Sequence, residues 1–177
     1  MRRAALAVLL LLAGARPAAA RGPRAHMAVV GGGRSNTGAL GDSYRLGYVY
    51  GAEAGYQPGV LGVAWSLLFG AFDSTSTSNP DSRLDLVEME LALRARVGLG
   101  AGEINSYTLV WAGLEVVRAS SPIPPDADRQ YLGPSVGTGL QFVIADELLI
   151  TLGARYSLIF GGPTGVTVMM SLGVGGY

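Results

Sequence analysis

The chain has 177 residues, no cysteine and no lysine; thirteen arginines balance thirteen acids, so the formal net charge is zero. These absences exclude a disulfide framework, a thiolate metal site, a phosphate-loop lysine and a Schiff-base lysine. The even balance leaves no basic footprint for nucleic acid. Hydrophobic residues make up 49% of the chain, charged residues 15%, and mean hydropathy is +0.35, a mixture that suits a β-surface facing lipid.

The first stretch reads as an address. Arg2 and Arg3 precede an apolar run from Ala4 to Ala13, and Pro17-Ala18-Ala19-Ala20 follows. A basic start, a short apolar middle and small residues before a cleavage point describe a secretory signal peptide at residues 1–20, with the domain proper at 21–177. The apolar run is too short for a membrane helix, which needs ~20 residues, and no later segment offers one. Without Arg2, Arg3 and Arg16, ten arginines face thirteen acids, a net charge of −3.

Alternation with period two, bounded by turn residues, then marks strands along the chain. The first, 25–33, is short and ends in Gly31-Gly32-Gly33. The second, 44–56, sets Tyr44, Leu46, Tyr48, Tyr50 and Tyr56 on one face and Arg45, Gly47, Val49 and Glu53 on the other. The third, 60–72, opposes Leu61, Val63, Trp65 and Phe69 to Gly62, Ala64, Ser66 and Gly70. The fourth, 83–97, is apolar on one side (Val87, Met89, Leu91, Leu93) and charged on the other (Glu88, Glu90, Arg94, Arg96). The fifth, 104–118, is ambiguous, because Glu115 shares a face with Leu109 and Trp111; a β-bulge, which flips every later side chain, would separate them. The last three, 130–144, 148–160 and 166–176, again set aliphatic rows against rows of glycine, serine and threonine, with Arg155 on the small-residue face. The expected fold is an all-β, eight-stranded antiparallel up-and-down barrel.

Long and short connections alternate. Links at 57–59, 98–103 and 145–147 are short; those at 34–43, 72–82 and 119–129 are long and polar; 161–165 is a short member of the long set. Short periplasmic turns with longer external loops are the outer-membrane arrangement, which puts both termini on the periplasmic side. A lipocalin-like barrel or a β-sandwich would share the alternation but bury its apolar face. Two details favour the inverted, lipid-facing barrel, with a polar lumen and an apolar exterior. The polar face is built from small residues that suit a crowded interior, and the apolar face carries Tyr44, Tyr56, Phe142 and Phe160 near strand ends, like two interfacial girdles.

On these strands and connections the chain resembles the small outer-membrane barrels typified by outer-membrane protein A (its transmembrane half) and outer-membrane protein X. The resemblance spans Arg21 to Tyr177. It implies a monomer in outer-membrane lipid, inserted by the barrel-assembly machinery, with Tyr177 as the terminal aromatic of the assembly signal. Gly173 and Gly175 depart from the apolar residues that signal expects at alternate positions before the aromatic.

The expected inner face carries Arg45, Glu53, Glu88, Glu90, Arg94, Arg96, Glu115 and Arg155, four arginines and four glutamates. An eight-stranded barrel is just wide enough for side chains to fill, so these charges should pair as a salt-bridged plug. Counting from the short turns puts Glu53, Arg94 and Arg96 in a lower layer, Arg155 and Glu90 at mid-height, and Arg45, Glu88 and Glu115 above. A gated pore is the functional alternative. His26, the single histidine, reads as an ordinary exposed residue at the start of the first strand, which argues against a lipid A-modifying enzyme relying on a His–Ser pair. Asp73, Asp81, Asp85, Asp126 and Asp128 have no calcium-loop spacing, and no cofactor or metal is expected. The reading is a non-enzymatic surface protein whose loops serve contact, adhesion or envelope integrity, with an external ligand the loops do not identify.

Overall fold

A computed structural model describes residues 24–37, 44–75, 82–100, 104–120 and 129–176. Eight strands follow one another: β1 (Ala25–Asn36), β2 (Leu46–Tyr56), β3 (Leu61–Asp73), β4 (Arg83–Gly100), β5 (Ile104–Ser120), β6 (Arg129–Ile144), β7 (Leu148–Ser157) and β8 (Gly165–Gly176). Each pairs antiparallel with its sequence neighbour, and β1 pairs with β8 to close the barrel. Closure leaves no strand edge unpaired, which a chain in hydrocarbon requires.

The register fixes the tilt. Paired residues traced once around the ring run from Gly139 through Gly153, Met169, Gly32, Val49, Gly70, Leu86 and Ala119 to Arg129, ten residues along β6 from the start. With a rise of ~3.3 Å per residue and strands ~4.8 Å apart, that stagger corresponds to a tilt of about 40°.

The faces are inverted relative to a soluble barrel. Met27, Leu46, Leu61, Leu93, Leu114 and Val168 are each more than 60% exposed, whereas Arg34, Glu88, Glu115 and Arg155 are at most 1% exposed. No helix among the described residues is long and apolar enough to cross a membrane; this chain offers strands instead.

Four details depart from the expectations. β1 continues past its glycines to Asn36, so Arg34 belongs to the strand rather than to the following loop. β2 starts at Leu46: Tyr44 is buried, not part of a girdle, and Arg45 is exposed. Alternation is set by ladder pairing, and these two residues precede it. β5 alternates without interruption, with Tyr107, Leu109, Trp111, Glu115, Val117 and Ala119 all inward; the one irregularity in its pairing with β4 lies at Gly98/Gly100. Apolar side chains therefore enter the lumen. β7 ends at Ser157, and a turn through Gly161, at φ +71, leads to β8. Residues 1–20 and Tyr177 lie outside the described residues, as do Asp81, Asp126 and Asp128.

Candidate functional site: the barrel lumen

The densest chemistry lies inside the barrel. Register places Glu90 directly opposite Glu115 on β5 and Ser66 on β3. Two like charges opposed on neighbouring strands repel, so this wall needs cations from elsewhere. They come from β1 and β7, each three strands from β4 around the ring.

Arg155 on β7 donates from Nη1 to Glu90 Oε2 at 3.1 Å and from Nη2 to Glu88. Arg34 on β1 donates from Nη1 to the other oxygen of Glu88. Its Nε donates to Asn36 Oδ1 at 3.0 Å and its Nη2 to the carbonyl of Pro163. Glu88 thus joins both guanidiniums across the lumen. Glu90 also accepts from Ser66 at 3.4 Å and from Ser135. Glu115 is held more loosely: its Oε1 lies 3.6 Å from Arg34 Nη1 and 3.5 Å from Arg155 Nη2, close enough for attraction but long for a hydrogen bond.

Nearer the chain termini a second group forms. Arg94 grips both oxygens of Glu53, with Nη1 at 2.6 Å from Oε1. His26 Nε2 reaches the same Oε1 at 3.1 Å. Arg94 lies over Trp111, 5.4 Å from its ring centroid, and Arg96 over Tyr107 at 4.8 Å, both within cation–π range. Small residues make room for the rings: a Cβ at Gly137 would fall 2.2 Å from Trp111 Cε2, and one at Gly55 would fall 2.2 Å from His26 Cε1.

Apolar packing lies on both sides of these charges. Tyr44, Val49, Phe72, Leu84, Leu86, Val117, Ala119 and Ile159 pack together at the long-loop end, where the Tyr44 hydroxyl also bonds Ser82. Tyr107, Val143 and Leu149 pack at the other end.

Seven of the eight residues read as lumen charges face inward: Glu53, Glu88, Glu90, Arg94, Arg96, Glu115 and Arg155. Arg45 does not; it is exposed and lies ahead of β2, and Arg34 takes the fourth arginine position. His26 is not an ordinary exposed histidine either, since it is 8% exposed and bonded to Glu53. Both residues had a readable signal. Arg34 and His26 share the parity of Ala28 and Val30, which becomes visible once the three glycines are read as strand. Of the acidic residues considered for calcium, Asp73 is exposed and Asp85 accepts from Arg83 Nε at 2.8 Å. Among the described residues no three histidines or acids gather as a metal site.

The outer membrane protein beta-barrel domain family matches residues 5–175. The chain belongs to that family. It is an outer-membrane β-barrel, and lipid surrounds its apolar exterior. Several solved structures share the fold. Neisserial surface protein A is 15% identical, with a TM-score of 0.57 over 85% of this chain and 94% of that one. Ail, the attachment invasion locus protein of Yersinia pestis, is 16% identical, with a TM-score of 0.54 over 87% and 98%. The N-terminal β-barrel domain of Pseudomonas aeruginosa OprF is 12% identical, with a TM-score of 0.53 over 86% and 98%. Identities this low speak to the fold alone. No curated protein matches the chain.

Proposed function

We propose that this barrel is a non-enzymatic, monomeric anchor that presents its long loops outside the cell for surface contact, adhesion or envelope integrity, and that its lumen is a salt-bridged plug. The observation that carries this reading is the filled interior. Arg34 and Arg155 meet Glu88 across the barrel, and an apolar cluster led by Phe72, Leu84 and Leu86 lies over them. A lumen so occupied argues against an ion path or a substrate cleft and points to the loops as the surface for contact. His26 lies against Glu53 inside the barrel, away from any acyl chain outside it, which weighs against the lipid A-modifying alternative. The fold shared with an attachment invasion locus protein is compatible with a contact role.

Replacing segments 38–43, 76–81 and 121–128 by short turns is expected to leave insertion intact and abolish any cell- or matrix-binding the protein confers. Lipid A mass profiles should be the same with and without the protein. Retained binding, or a changed lipid A species, would refute the anchor reading.

The same reading places both termini in the periplasm, with insertion by the barrel-assembly machinery engaging Tyr177. Because the chain has no cysteine, single cysteines report orientation cleanly. In whole cells a membrane-impermeant maleimide should label Ala127→Cys and spare Glu147→Cys; the reverse pattern would invert the topology.

A further inference from the structure

Charge in the upper lumen does not sum to zero. Arg34 and Arg155 face Glu88, Glu90 and Glu115, and each of the five is at most 4% exposed. Two positive charges against three negative leave one negative charge in excess. Arg94 does not answer it, being held by Glu53 nearer the chain termini.

The excess gathers at Glu115. Both guanidiniums are committed to Glu88, and Arg155 also to Glu90. They approach Glu115 at Oε1 alone, at 3.6 and 3.5 Å, and neither of its oxygens completes a hydrogen bond. Two hydroxyls nearby are equally idle: Ser157 Oγ and Thr167 Oγ1 are fully buried and make no hydrogen bond. Ser157 lies beside Glu115. The strand between them, β6, presents Gly133 opposite Glu115 and so leaves the space open. Thr167 is paired with Arg155 on one side and Arg34 on the other, the two residues whose guanidiniums reach Glu115.

Buried oxygens without partners cost free energy, most of all when they carry charge. A hard monovalent cation meets both deficits. Its charge cancels the excess, and carboxylate and hydroxyl oxygens are the ligands such ions take. A divalent ion would overshoot by one charge. The arginines stand on the Oε1 side of Glu115, which leaves Oε2 to the ion.

We propose that Glu115, Ser157 and Thr167 form a binding site for a small monovalent cation of the sodium type, which completes the charge of the upper lumen. The site deepens the reading of the lumen as a plug and rests on it. Steady conductance would refute the plug, whereas unfolding that ignores sodium refutes only the ion.

Urea unfolding of the intact barrel in phosphatidylcholine vesicles is compared in sodium chloride and in choline chloride at equal concentration, so that screening is the same and only the ion differs. Sodium should lower the unfolding constant of the wild-type protein about fivefold once it stands at roughly four times its Kd. Glu115→Gln should unfold alike in the two salts. Ser157→Ala and Thr167→Val, which change no charge, should each shift the sodium response to higher concentration. Asp85→Asn, which removes a carboxylate outside the lumen, should keep the response whole. Identical wild-type unfolding in the two salts would overturn the site, as would a sodium response that survives Glu115→Gln. A response to pH with none to sodium would put a proton on Glu115 and overturn the cation equally. Where Glu115→Gln loses the heat-modifiable gel migration of a folded barrel, the two hydroxyl variants decide.

Discussion

At the scale of single residues, the lumen is a problem in charge matching. Two guanidiniums, Arg34 and Arg155, face three carboxylates, Glu88, Glu90 and Glu115. Removing a cation leaves buried carboxylates uncompensated, which costs about 3–5 kcal/mol. Arg155→Leu is therefore expected to lower unfolding stability in phospholipid vesicles by that order. Glu115→Gln removes the surplus carboxylate, the one held only at 3.5–3.6 Å, and should change stability by less than ~1 kcal/mol. Equal losses in the two variants would mean the cluster is not organised by charge. Glu90→Ala is a milder lesion than Arg155→Leu, because Arg155 keeps Glu88 and Glu115. Parity made seven of the lumen charges legible, Arg34 not among them, since an inward phase on a strand says which side chains share the lumen. It could not say that Glu88, rather than Glu90, joins both arginines, because partners across a barrel depend on stagger between distant strands. Nor could it place Arg45, whose phase no ladder sets.

At the scale of elements, the strands were legible wherever aliphatic and small residues alternate, and least so where glycine or mixed chemistry blurs the two faces. Gly31-Gly32-Gly33 read as a strand end yet pair with both β2 and β8. On β5, Glu115 beside Trp111 and Leu109 suggested a bulge; the lumen simply takes aromatic and aliphatic side chains, with Gly137 vacating the space Trp111 fills. The β6–β7 turn carries local strain. Ala145 at φ 51 and Asp146 at φ 61 both occupy the left-handed region, which the β-turn closed by Glu147 N–H donating to the Ile144 carbonyl at 3.2 Å demands and an alanine tolerates poorly. Ala145→Gly should raise stability by about 1 kcal/mol, read as a higher urea midpoint for unfolding in vesicles. A lower midpoint would show that the turn is relaxed as it stands.

For the molecule as a whole, few charges, abundant glycine and a polar face of small residues without lysine favoured a lipid-facing barrel over a soluble one. What composition could not supply was how the interior is filled. Balanced charge is compatible with a hydrated pore as well as with a plug. The difference lies in Arg34 and Arg155 reaching Glu88 across the lumen, beneath packed Phe72, Leu84 and Leu86. Single-channel recording in planar bilayers addresses that difference most directly. The purified, refolded barrel should give no steady conductance above the bare membrane in ordinary salt. A stable open level, seen in most insertions and altered by Arg155→Leu, would contradict the plugged lumen and restore the channel reading.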